Sequence, residues 1–399
     1  MMDLSIAVAG LFLLMQSNSY VADQPVSLTP DGEDGCTLET HDYCRLIGAI
    51  DLQAAEARLA ETNQTFWREG DTLFIAARRS PDTPRVRMCC ALQTDMELLG
   101  DGIWGVAYRL SRIDEAFVEV WPTPLLDQDE LVWRDRPVYR GPHSLPPVES
   151  VPEGALRGRL EMFDVESEAL GKPRRVTVYV PQDAGPSTSL PVAYVADGGN
   201  VYSYGPISEA LADTCAAAPV ILVGLWNEDP GPEEERSQSE LRAADYLWGH
   251  DPERFQAHDT FLLEDVMPLA EERFGASPEP ETRMLSGSSN GAAWAVSTAL
   301  LHPELFATVS AASLGWIDAL GAGEIPDDRV TFHISAGYYE PRFLPDSEAA
   351  VEQINAAGGT AHLTRYVSGH SPLAFEQQFA RSLAATFPAD GDCVPLTAD

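Results

Sequence analysis

Lysine is all but missing from this chain. Lys172 stands alone among 399 residues, and 26 basic against 62 acidic residues leave a formal charge of −36. A chain this anionic is not a general nucleic-acid binder, because phosphate contacts need a cationic face, and solubility is the plain reading of the charge. Arg242, Arg342 and Arg365 are the candidates for a cationic cluster that would draw a polyanionic ligand into a cleft. Metal-ligand spacing is also missing, so neither a metal nor a cofactor is expected. No internal repeat occurs. The N-terminal apolar run Ile6–Met15 is too short to span a bilayer, and no cysteine follows it closely enough to take a lipid anchor, so stable membrane insertion is not expected.

That short run has another reading. Followed by the small residue of Tyr20-Val21-Ala22, it makes residues 1–24 resemble a secretory signal, although Asp3 stands where a Lys or Arg is usual. Export implies a periplasmic or extracellular location, where the six cysteines can pair. Cys36 with Cys44 closes a short loop, and Cys215 with Cys393 ties down the C-terminal tail. Cys89 and Cys90 are adjacent and are not expected to bond each other.

With 399 residues, 44% of them hydrophobic, the chain should build two cores. The expected layout is a β-rich domain over 25–140, a linker over 141–158, an α/β domain over 159–390 and a tail over 391–399. Pro137, Pro142, Pro146, Pro147 and Pro152 crowd the boundary. Alternating stretches such as Thr72–Ala77 and Phe117–Val120 mark the first part as all-β. The Glu- and Pro-rich stretch 227–238 reads as a long surface loop.

The chemistry gathers in the second part. Gly287-Ser288-Ser289-Asn290-Gly291 lies between a strand-like run, Thr282–Ser286, and the helical Ala292–Leu301. A serine nucleophile needs this spacing at a strand-to-helix turn, because flanking glycines let the chain pass through a cramped bend that lifts the hydroxyl above the sheet. The N–H of Asn290 then sits at a helix start, ready for an oxyanion. An acid and a histidine should follow in that order. Glu340 turns out of the strand Val330–Ala336, and His370 leaves the strand Ala361–Val367 through Ser368-Gly369, ahead of the helix Pro372–Phe387. Asp346 and Glu348 lie near enough in sequence to compete with Glu340. Among the other histidines, His302 reads as a structural helix end and His333 and His362 as strand residues, while His250 or His258 could line a pocket.

Further landmarks fit one known family. Arg175–Pro181 suits its first long strand, Pro191–Ala196 with Asp197-Gly198-Gly199 its strand and oxyanion loop, and Arg242-Ala243-Ala244-Asp245-Tyr246 its Arg-x-x-acid-Tyr segment before the helix Phe261–Phe274. From about Arg159 to Phe387 the chain therefore resembles the esterase D and enterochelin-esterase branch of the α/β-hydrolases, which includes feruloyl esterases. It departs from that family at Asn290 and Ala292. The resemblance implies a mostly parallel sheet with helices on both faces. It also implies a triad of Ser289, Glu340 and His370, with an oxyanion hole from Asn290, Gly198 and Gly199. Gly70-Asp71-Thr72-Leu73-Phe74 and Gly102-Ile103-Trp104 resemble the Ig-like early-set domain found ahead of enterochelin esterases.

Asn200, Trp226, Arg242, Tyr246 and Trp316 are the expected substrate contacts, the two tryptophans because they follow strands that end on the same sheet edge as Ser289. The reading that results is an exported serine esterase acting on a small-molecule or oligosaccharide ester. A siderophore trilactone is favoured, with feruloyl or acetyl esters of polysaccharide as the alternative. A non-catalytic binding protein on the same fold is the reading from another class. The sequence leaves the oligomeric state open.

Overall fold

The computed structural model describes residues 36–395, apart from 39–41, 125–136, 153, 229–233, 235, 326–328 and 394, so the expected signal segment lies outside the described residues. Two separate groups of sheets account for the strands. Residues 36–140 form an antiparallel sheet in which Ile103–Leu110 is central, flanked by Thr72–Arg78 and Tyr43–Leu46, with two small two-stranded sheets beside it. Its core is built on Leu73, Ile75, Val106 and Tyr108, the inward positions of an alternating pattern.

The second group is one eight-stranded sheet in the order Arg159–Val165, Arg174–Val180, Ile221–Leu225, Val192–Ala196, Arg283–Ser288, Thr308–Ala312, Thr331–Gly337, Thr360–Tyr366. Arg174–Val180 runs antiparallel to both its neighbours and the six strands beyond it are mutually parallel. The central strands are fully buried because helices cover both faces, and their sequences are correspondingly near-continuous apolar runs. Val201–Asp213 and Pro372–Thr386 cover one face, where Tyr204 stacks on Phe379 at 4.1 Å. The other face is covered by helices that include Gln238–Tyr246, Asn290–Leu301 and Phe343–Ala356. Asn290–Leu301 is apolar almost all round, and burying a side chain such as its Trp294 contributes about 1.5–3 kcal/mol.

The predicted helix Phe261–Phe274 is continuous with Pro252–Thr260 but widens into π-type turns at Phe261–Val266 and Ala270–Phe274. Pro268, which has no N–H to donate, sits between them. Among the described residues, no helix is long and apolar enough to cross a membrane.

Three expectations need correction. Cys36–Cys44 and Cys215–Cys393 are bonded, but Cys89 and Cys90 are bonded to each other as well. The peptide between them is cis, which brings their Cα atoms to 3.0 Å. The stretch read as a surface loop from residue 227 begins in the interior. Glu228 is buried against Lys172, Arg174 and Arg254, with its N–H on Asp245 at 2.9 Å. His258 lines no pocket. It is fully buried, its ring edge-on to Tyr246 and Trp294, and burial lowers its pKa to about 4.

Candidate active site

Ser289 occupies a backbone conformation that side chains seldom adopt, with φ 56° and ψ −123°. Such a residue costs about 1–3 kcal/mol and persists only where its surroundings hold it. Here the strand Arg283–Ser288 ends, the Ser289 N–H is fixed by the Ala312 carbonyl at 2.9 Å, and the helix begins at once. Glycine is required beside it, since a Cβ on Gly287 would lie 2.0 Å from the Gly291 carbonyl oxygen.

The neighbouring strand ends carry the other two groups. His370 Nδ1 meets Glu340 Oε1 at 2.6 Å, and both side chains are buried. The second carboxylate oxygen, Oε2, accepts from the Gly337 N–H and from the Ser313 hydroxyl at 2.9 Å. Ser289, Ser313, Glu340 and His370 thus follow consecutive parallel strands along one edge of the sheet. Asp346 lies instead on the next helix, 3.9 Å from Arg342, and Glu348 pairs with Arg365 at 2.7 Å. Glu340 is the carboxylate against the histidine.

The oxyanion-loop candidates are held from below and behind. Asp197 has φ 57°, and two residues of one helix fix it there. Arg242 grips its carboxylate with two bonds of 2.6 Å and reaches the Ser288 carbonyl at 3.2 Å. The Tyr246 hydroxyl accepts from the Asp197 N–H at 2.8 Å and donates to the Leu225 carbonyl at 3.1 Å, and burial raises its pKa well up, so it stays protonated. Arg242 and Tyr246, expected to meet substrate, are therefore spent inside the protein, tying the loop that carries Gly198 and Gly199 to the turn that carries Ser289.

Trp226 is likewise a support. Its ring lies against the loop, where a Cβ on Gly198 would come within 2.2 Å of it, and its N–H donates to Thr177 at 2.8 Å. The Asn200 amide donates to the Ala196 carbonyl at 3.2 Å. Trp316 is half-buried at the edge, its N–H on the Trp248 carbonyl at 3.3 Å. The expected cationic cluster does not form, since Arg242 and Arg365 are committed to carboxylates and Arg342 alone of the three lines the cleft beside His370. Among the described residues, no group of three His, Cys, Asp or Glu is placed to hold a metal.

Sequence reasoning missed three contributors. Phe343 stacks on the His370 ring at 4.2 Å, with Phe375 edge-on at 5.1 Å, which fixes the ring plane. Ser313 holds Glu340. The N-terminal β region holds the histidine loop itself: the Ala91 carbonyl accepts from the His370 N–H at 2.9 Å, Phe117 N–H donates to the Val367 carbonyl at 3.0 Å, and Ser371 bonds Glu119. Only the spacing of Phe117 and Glu119 within a strand was visible in the sequence, and nothing there signals a contact some 250 residues away.

The fold that carries this site has known counterparts. The Esterase family model matches residues 167–320. Among solved structures, the enterobactin esterase of Shigella flexneri in the presence of enterobactin is similar with a TM-score of 0.60 at 16% identity, covering 83% of this chain and 97% of that one. The ferric enterobactin esterase of Salmonella typhimurium gives 0.55 at 14% identity, covering 83% and 98%. A ferulic acid esterase of Anaeromyces mucronatus in complex with ferulic acid gives 0.50 at 17%, covering 60% and 94%. At such identities the likeness is one of fold. No curated protein matches the sequence. With the Esterase family model over residues 167–320 and these fold relatives, the chain is an ester hydrolase built on the α/β-hydrolase fold.

Proposed function

We propose that Ser289, His370 and Glu340 are the catalytic triad of an exported serine esterase. The observation that carries this is the 2.6 Å contact between His370 Nδ1 and Glu340 on the sheet edge where Ser289 sits strained at a strand-to-helix turn. With Nδ1–H directed at the carboxylate, Nε2 is left to take the Ser289 proton as Oγ attacks the ester carbonyl. The Oγ–carbon bond forms, and the tetrahedral oxyanion is held by N–H groups of Asn290 and of Gly198 or Gly199. Collapse breaks the bond to the alcohol oxygen, which takes the proton from His370, and water repeats the attack on the acyl-enzyme. The strain held at Ser289 supports a catalytic reading over one of binding alone.

The favoured substrate is a siderophore trilactone. In support, the fold likeness to enterobactin esterases runs through both parts of the chain, whereas that to the ferulic acid esterase spans 60% of it. With one arginine of the three left at the cleft, recognition leans on shape and hydrogen bonding more than on charge. The aromatic groups beside His370 favour, as a second reading, a feruloyl ester. A panel of trilactone, feruloyl sugar and p-nitrophenyl acetate decides: kcat/KM for the trilactone should exceed the others at least about tenfold. Feruloyl sugar in first place would exchange the two readings.

Arg242 acts here as a positioning residue. Arg242→Ala should lower kcat about a hundredfold on p-nitrophenyl acetate, the scale of one oxyanion donor, with KM within about twofold. Arg242→Lys should recover little, because a point charge cannot replace the two-pronged grip on Asp197. A raised KM at unchanged kcat would return Arg242 to the substrate.

A further inference from the structure

One wall of the cleft beside His370 comes from the N-terminal β region. The cleft holds about 120 Å³, and Leu92, Gln93, Tyr339, Arg342 and Phe343 line it together with His370. The segment 91–94 is braced at every carbonyl. Ala91 O receives the His370 N–H at 2.9 Å and Leu92 O the Tyr43 hydroxyl at 3.1 Å. Gln93 O receives Arg87 at 2.9 and 3.2 Å, and Thr94 O the Met88 N–H at 2.8 Å. Within this rigid frame Gln93 is held at φ 51°, a conformation that costs a non-glycine residue energy, and its buried side-chain nitrogen has no partner. An unfavourable backbone and an unsatisfied donor beside a cleft that His370 and Glu340 line are the marks of a ligand contact.

We propose that Gln93 is a specificity residue for the alcohol half of the ester, hydrogen-bonding an acceptor there such as an amide carbonyl or a sugar hydroxyl. The direction follows from the chemistry. His370 delivers its proton to the departing alcohol oxygen, so groups standing beside His370 face the alcohol, while the acyl carbon lies toward Ser289 and the oxyanion loop. Arg342 lines the same cleft and adds a second donor. The inference rests on the triad reading.

Two esters with a common acyl group test it: O-butyryl-N-acetylserinamide, whose alcohol carries amide acceptors, and ethyl butyrate, whose alcohol carries none. Both pass through the same butyryl-enzyme, so their kcat/KM ratio reports the alcohol side. Gln93→Gly suits the left-handed backbone and removes only the side chain. It should reduce the preference for the serinamide ester about tenfold relative to the parent, leaving ethyl butyrate within about twofold. Gln93→Leu, which keeps the bulk, should do the same. A preference unchanged within twofold, or a parallel loss on both esters, overturns the proposal. Turnover of neither ester by the parent, together with no labelling of Ser289 by a fluorophosphonate, removes the triad reading and this one with it.

Discussion

Ser289→Ala should abolish ester turnover, lowering kcat on p-nitrophenyl acetate by about 10⁵- to 10⁶-fold while the protein stays folded. The size follows from the role. Without Oγ there is no acyl-enzyme, and only binding and the oxyanion donors remain, which act poorly without the group they serve. The fold should not notice. The strained turn is held by the Ala312 carbonyl and by the Gly287–Gly291 approach, neither of which involves the hydroxyl, so the melting temperature should stay within about 2 °C. Covalent labelling by a fluorophosphonate supplies the check that does not depend on guessing the substrate. The parent should label once, on the peptide carrying Ser289, and both Ser289→Ala and His370→Ala should fail to label. Ser288 lies one residue away at the strand end and is as buried as Ser289, which makes it the internal control. Label on Ser288, or turnover surviving in Ser289→Ala, ends the assignment.

Glu340→Gln should cost about 10³- to 10⁴-fold in kcat with little change in KM. Glu340 Oε2 already serves two donors, the Gly337 N–H and the Ser313 hydroxyl, while Oε1 serves His370. A glutamine keeps the shape but has one acceptor oxygen, and the two donors will hold it. The amide NH₂ is then turned toward His370 Nδ1, which must become an acceptor and carry the ring proton on Nε2 instead. In that tautomer the imidazole cannot take a proton from Ser289, and the loss follows from geometry left otherwise intact. Asp346→Asn is the companion measurement. It should leave kcat within about twofold, because Asp346 faces Arg342 and not the histidine. A reversal of these two effects would move the acid to position 346.

The sequence was most readable where one local rule decides the outcome. The central strands are near-continuous apolar runs because both their faces are covered, and the pattern survives in any reading of Val192–Ala196 or Ile221–Leu225. The turn at Ser289 is equally local, since only small residues permit its backbone to close. Glu340 could not be separated from Asp346 by spacing, because the choice turns on which side of one helix start the carboxylate falls. Arg242 and Tyr246 were read as substrate contacts for a related reason. A polar residue near a strand end looks the same in sequence whether it faces the cleft or the loop that builds the cleft, and only the 2.6 Å grip on Asp197 tells them apart. The Cys89–Cys90 bond escaped because adjacent cysteines pair through a backbone geometry that no pattern announces.

The loop from Val367 to Ser371 is gripped at both ends by the N-terminal sheets, through Phe117, Ala91 and Glu119. The proposed general base is therefore aimed in part by a β region that contributes none of the proposed triad. Tyr339 and Val367 of the α/β part pack into the core of that β region, so the seam between the two parts is itself a packed interior. Selection for turnover must then extend across that seam, and substitutions in its packing will register as defects of catalysis in a region where no chemistry occurs.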